Sequence, residues 1–230
     1  MADEQSVTWR VNVGEEETSA AYDPAAPGDG PRVVFACAHG AGGSMSDKAN
    51  VAACAALRAR GIGTVRFNFL YTERGSRRPD PMPRCMEVVS AVVDRIRQEL
   101  EPDLLLIGGR SMGGRAASML AADGFDADGL LLLAYPLHPA GQPHKLRDAH
   151  LPSIRMPVLC FNGTRDELCT RALMEEVLTR VGPNWRMHWL EAADHSFHVL
   201  KSSGRTDPQV LDEFADATRA WVDGLRPASA

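Results

Sequence analysis

The residues Leu104-Leu105-Leu106-Ile107 run without a polar break into Gly108 and Gly109, and a helical pattern resumes at once with Ala116, Ala117, Met119, Leu120 and Ala121. A short, wholly apolar run bounded by glycines suits a strand covered on both faces of a sheet. The alanine-rich segment after it suits a helix packed closely on that sheet. Only small residues allow so abrupt a passage from strand to helix. A chain with this junction at its centre is constrained to alternate strands and helices, and the rest of the sequence does so.

"VTWRVNV" (7–13) alternates like an exposed antiparallel strand, and the Pro/Gly-rich "YDPAAPGDGP" separates it from the buried strand "RVVFACAHG" (32–40). A helix is expected over 47–61, closed by Gly61, then a strand over 63–70 and a charged loop through Pro83. "MEVVSAVVDRIRQEL" (86–100) repeats apolar residues at helical spacing. After the central junction come strands at 129–137 and 157–163, a helix at 171–181, a strand at 185–191 and a closing helix at 207–225. Crossovers of this kind imply a mostly parallel sheet with helices on both faces, a three-layer α/β fold. At 230 residues, with no repeat or linker, the chain reads as one domain. The segment after Tyr135, "PLHPAGQPHKLRDAHLPSIRM", is too short for a full lid.

Gly109-Arg110-Ser111-Met112-Gly113 fits G-x-S-x-G, in which a serine is exposed on a strained strand-to-helix turn. By itself the pattern arises by chance in roughly one chain in a dozen of this size, so partners must carry the argument. A serine hydroxyl needs a base to take its proton and an acid to orient that base. In this arrangement the acid follows a later strand and the base precedes the last helix. Asp166 lies just past the strand ending at Gly163, with Glu167 the weaker candidate and a plain helix-start role the alternative for Asp166. His195 lies in the loop "ADHSF"; His198 sits deeper in an apolar stretch, and His188 falls inside a strand as a packing residue. Ser111, Asp166 and His195 form the candidate triad. An oxyanion would need two amide donors. Met112 directly follows the serine, and the loop His39-Gly40-Ala41-Gly42-Gly43 supplies Ala41 first and Gly42 next. That loop lacks the lysine and spacing of a phosphate-binding P-loop.

A net charge of −5 and the absence of a basic stripe argue against nucleic acid as a partner. "RGSRR" at 74–78 reads as a solvated loop. No apolar stretch approaches the ~18 residues of a membrane helix, and the first residues lack the features of a signal peptide. Five scattered cysteines without C-x-x-C spacing suit reduced thiols in a cytoplasmic protein, with Cys37 and Cys160 in the core. No cofactor and no metal are called for.

From about Arg32 to Leu225, "HGAGG", "RFNF", "GGRSMGGR", "YPLHPAGQPHKLRDAHL", "NGTRDELC" and "ADHSF" resemble the α/β-hydrolase superfamily, and within it the small, capless, dienelactone-hydrolase-like group. The resemblance implies Ser111 as nucleophile, Asp166 as acid, His195 as base, and the Ala41 and Met112 amides as oxyanion donors. It departs from true dienelactone hydrolases, which carry cysteine at the elbow, and from many relatives at Leu70, where proline is common. The implied activity is hydrolysis of a small carboxylic ester or thioester. A non-catalytic binding or scaffold role on the same fold is the competing expectation. Gly42, Tyr135 and His138 are candidate substrate contacts, with His144 also in the bordering loop. Arg115 is expected to pair with an acidic side chain, the alternative being attraction of an anionic acyl group.

Overall fold

The computed structural model describes residues 6–26, 30 and 32–225. Eight strands form one sheet: β1 (Val7–Val13), β2 (Glu16–Asp23), β3 (Val33–Ala38), β4 (Ile62–Phe67), β5 (Leu104–Arg110), β6 (Gly129–Leu133), β7 (Val158–Gly163) and β8 (Trp185–Leu190). The spatial order is β1-β2-β4-β3-β5-β6-β7-β8. β1 and β2 run antiparallel, and all pairings from β4 to β8 are parallel. The helices are α1 (Lys48–Arg58), α2 (Leu70–Glu73), α3 (Met82–Leu100), α4 (Met112–Ala122), α5 (Arg171–Leu178) and α6 (Asp207–Asp223).

The central strands β3, β5, β6 and β7 are buried along almost their whole length, as their unbroken apolar runs require. Their side chains feed two cores. On one face Val88, Val92 and Ile96 of α3, Ala116 and Ala117 of α4, and Met174 of α5 pack against Val34, Ile107 and Leu132. On the other, Leu57 of α1 and Phe214 and Trp221 of α6 pack against Phe35, Leu131 and Phe161. α6 opens with a reciprocal capping box between Thr206 and Gln209. The expected three-layer architecture is therefore present.

Three local features were not expected. β2 lies in "EETSAAYD", where paired alanines and few β-branched residues hide the period of two; Gly14, at φ 64°, turns the chain from β1 into it. α3 begins four residues before its apolar repeat, because Pro83 fits the first helical turn rather than blocking it. α2 is a single turn inside the charged loop. Between β6 and β7, residues 134–157 carry only the 3-10 turn Leu151–Ser153, so no cap domain stands there. Among the described residues no helix is long and apolar enough to cross a membrane.

Candidate active site

The C-terminal ends of β3, β5, β7 and β8 meet at one edge of the sheet, where ligands bind in open parallel sheets. Ser111 sits between β5 and α4 with φ 51° and ψ −116°, a conformation that non-glycine residues rarely adopt. Its amide donates to the Leu133 carbonyl at 2.9 Å, and its carbonyl accepts the Arg115 amide at 3.0 Å. The glycines make this turn possible. Gly109 has φ 138°, and any side chain there would overlap the Ala38 carbonyl of β3. A Cβ on Gly113 would lie 2.6 Å from the His39 carbonyl and 2.7 Å from the Ala38 Cβ, so the first turn of α4 touches β3 directly.

The three predicted side chains meet. His195 Nε2 lies 2.9 Å from Ser111 Oγ, and His195 Nδ1 lies 2.9 and 2.8 Å from the two Asp166 oxygens. Asp166 cannot donate as a carboxylate, so Nδ1 carries the proton and Nε2 is left to accept from the serine. The Asp166 side chain is fully buried, while that of His195 is 28% exposed. Burying a carboxylate is costly unless donors surround it. Here Leu168 donates its amide to Oδ1 at 2.8 Å, and Asn162 donates its side-chain Nδ2 to Oδ2 at 3.0 Å. Glu167 is exposed. Asp194 folds back on its own loop, where Oδ1 accepts the amides of Ser196 and His198 at 2.8 and 3.1 Å.

Asn162 did not stand out in the sequence, although a polar residue closing the apolar run before Gly163 was the available signal. It also bonds both the amide and the carbonyl of Tyr135, tying β7 to the chain leaving β6. Two expected substrate contacts are corrected by these ties. Tyr135 is buried and its hydroxyl donates to the Arg147 carbonyl at 2.6 Å. His138 is 3% exposed; its Nε2 accepts the amide and hydroxyl of Thr170, each at 3.0 Å, and Nδ1 lies 3.0 Å from the Pro139 carbonyl. Both residues brace the loop that carries Asp166 instead of lining open space. His144 is exposed.

The loop after β3 is held from outside by the "RFNFLY" segment. Phe69 donates its amide to His39 Nε2 at 3.1 Å, leaving Nδ1 to donate to the Gly40 carbonyl at 2.8 Å. Burial pushes the His39 pKa down, which keeps this ring neutral and fit to accept. Gly42 donates its amide to the Tyr71 hydroxyl at 3.1 Å. That amide is engaged by Tyr71, which leaves Ala41 as the loop's better-placed oxyanion donor. Ala41 is exposed on the same loop. Met112, first in its helix, has an amide with no helical acceptor.

A sequence profile described as the alpha/beta hydrolase domain matches residues 31–223. The chain belongs to the α/β-hydrolase family. Its fold is similar to that of an α/β serine hydrolase without lid from Xanthomonas campestris, at 23% identity and a TM-score of 0.75 over 99% of this chain and 98% of that one. It is similar to a dienelactone hydrolase from Anabaena variabilis at 20% identity and a TM-score of 0.72, over 94% and 96% of the two chains. Est1E from Butyrivibrio proteoclasticus is similar at 15% identity and a TM-score of 0.72, over 95% and 98%.

In this α/β-hydrolase His195 has a support that the sequence did not reveal. Arg110 donates Nη1 to the His195 carbonyl at 2.9 Å and stacks its guanidinium 4.5 Å over the Phe197 ring. Its Nε and Nη2 are buried without partners, and desolvation lowers its pKa. Removing a buried cation that lacks a carboxylate partner is often neutral or stabilising. Arg110→Met should therefore hold or raise the melting temperature while kcat/KM falls by about tenfold or more, the scale on which a misplaced catalytic group is felt. Unchanged kcat/KM would show that Arg110 does not position His195.

His198 does not approach Ser111; its Nδ1 lies 2.9 Å from Asp207 at the start of α6. The hydrogen bond to Asp207 raises the His198 pKa, and His198 lowers that of Asp207. The histidine's contribution is present below its unfolded pKa and fades as pH rises through the folded value. The aspartate's is present above its unfolded value and fades as pH falls. The stability difference between the parent and His198→Asn should then be widest near about pH 5–6 and shrink by about pH 8.5, with hydrolysis retained. A thermal shift difference that is constant with pH would refute the coupling. His188 is a packing residue, as expected, with Nε2 2.7 Å from Glu213 and its ring against Phe161.

Proposed function

We propose that this α/β-hydrolase, acting as a single domain, cleaves small carboxylic esters or thioesters through an acyl-enzyme on Ser111. The observation that carries the reading is the continuous hydrogen-bonded path from Ser111 Oγ through His195 to buried Asp166. Ser111 Oγ attacks the acyl carbon as its proton passes to His195 Nε2, and Asp166 stabilises the imidazolium. The oxygen that gains charge is met by the Met112 and Ala41 amides, at the positive end of α4. His195 then protonates the departing alcohol or thiol, and the bond from the acyl carbon to that group breaks. Water attacks the acyl-enzyme with His195 again taking a proton, releasing the acid and restoring Ser111.

The scheme uses only this chain's side chains and amides. Among the described residues no group of three or more His, Cys, Asp or Glu side chains is placed to hold a metal ion. Five free, buried cysteines support a reducing, cytoplasmic setting. The test is steady-state hydrolysis of p-nitrophenyl butyrate. The parent should turn this ester over, and His195→Ala should lose turnover by several orders of magnitude, because nothing then accepts the serine proton. Absence of ester and thioester turnover in folded protein would reject the reading.

A further inference from the structure

The loop that follows β3 stands between the C-terminal ends of β4 and β5, because those two strands flank β3 in the sheet. Ser111 lies past β5 on one side of it, and residues 69–72 lie past β4 on the other. A Cβ built on Gly40 would lie 3.6 Å from the Ser111 Cβ, so the loop passes directly beside the nucleophile. The Gly40 carbonyl is turned to the opposite side, and three donors hold it. His39 Nδ1 lies 2.8 Å from it, the Gly43 amide 3.2 Å and the Tyr71 hydroxyl 3.4 Å. The His39 ring packs edge-on against Phe69 and Tyr71, with ring centres 4.9 and 5.9 Å apart. Its Nε2 accepts the Phe69 amide, which leaves Nδ1 as the donor. Tyr71 ties the loop a second time by accepting the Gly42 amide, and Thr72 Oγ1 donates to the Gly43 carbonyl at 3.0 Å. Gly42 closes the turn at φ 69°, the sign that type II turns place at their third residue. A trans peptide points its C=O and N–H in opposite directions. With the Gly40 carbonyl held toward the β4 side, the Ala41 amide of the same peptide group points toward β5 and Ser111.

We infer that His39 and Tyr71 are positioning residues: together they capture the Gly40 carbonyl and so aim the Ala41 amide at the oxygen that gains charge when Ser111 attacks. The inference rests on the hydrolytic reading of Ser111. A donor fixed in advance needs no reorganisation as the charge develops. That oxygen is charged only on the way to the tetrahedral intermediate, so a loosened peptide should lower kcat and leave KM nearly unchanged. The experiment compares p-nitrophenyl butyrate with its thiono analogue, in which sulfur replaces the carbonyl oxygen. Sulfur is the weaker hydrogen-bond acceptor, so a misaimed donor slows the thiono ester less. His39→Phe should lower kcat on the oxygen ester about 10²-fold, the scale of losing one oxyanion donor. Tyr71→Phe, which removes one of the three donors, should lower it about tenfold. In both variants the oxygen-to-sulfur rate ratio should fall several-fold. His39→Asn, which can offer Nδ2 to the same carbonyl, should recover part of the rate and of the ratio. If His39→Phe does not fold, Tyr71→Phe and His39→Asn decide. A variant that loses rate equally on both esters, raises KM instead of lowering kcat, or keeps the parent's rate overturns the role of the residue it replaces, while hydrolysis by the parent stands. No turnover of either ester by the folded parent rejects the hydrolytic reading, and the positioning role with it.

Discussion

Ser111→Ala should lower kcat by about 10⁴-fold or more while moving the melting temperature by only about 2–4 °C. The activity loss is large because the oxygen that attacks is gone and His195 has nothing to deprotonate. The stability change is small for two reasons. Losing the 2.9 Å bond to His195 costs about 1 kcal/mol. The strain of a non-glycine residue at φ 51° stays, since alanine also has a Cβ. Circular dichroism, melting curves and steady-state rates on the same preparation check both points. Residual kcat within about tenfold of the parent would remove Ser111 from the nucleophile's role.

Asp166→Asn should cost about 10⁴ in kcat, the scale set by the same change in serine proteases. Every neighbour of the Asp166 carboxylate is a donor: the Leu168 amide, the Asn162 side chain and His195 Nδ1. An amide presents one acceptor and one donor, so its NH₂ must face a donor somewhere. If it faces His195, the imidazole moves its proton to Nε2 and can no longer accept from Ser111. If it faces Leu168 or Asn162, a buried amide loses its partner, at about 1–3 kcal/mol. Glu167→Gln touches none of this. Asp194→Asn keeps an acceptor oxygen for the amides of Ser196 and His198. Both should remain substantially active, and a kcat loss confined to Asp194→Asn would reassign the acid.

The central strands and the meeting of Ser111, Asp166 and His195 were legible because burial on both faces leaves wholly apolar runs, and because chain order and position after a strand restrict which side chains can meet. β2 was not, since "EETSAAYD" pairs alanines where a strand signal would alternate. The supporting residues were harder to read for a different reason. Tyr135 and Asn162, His138 and Thr170, and Arg110 and His195 are paired across 27, 32 and 85 positions in sequence, and no local pattern encodes such contacts. Tyr135 and His138 looked like pocket residues because they lie in a loop near the site; their hydrogen bonds turn them inward. The Tyr71 hydroxyl, which occupies the Gly42 amide and favours Ala41 over Gly42, is a contact that the glycine-rich loop's own sequence does not announce. The acid expected opposite Arg115 is absent among the described residues, where its Nε is buried without a hydrogen bond.

The central claim is that Ser111 is activated by His195. Treating the purified protein with a fluorophosphonate and locating the adduct by peptide mass spectrometry tests it most directly. The account predicts one adduct, on Ser111, missing in Ser111→Ala and formed far more slowly in His195→Ala. An unmodified Ser111, or labelling of Ser111 at the same rate when His195 is alanine, would contradict it.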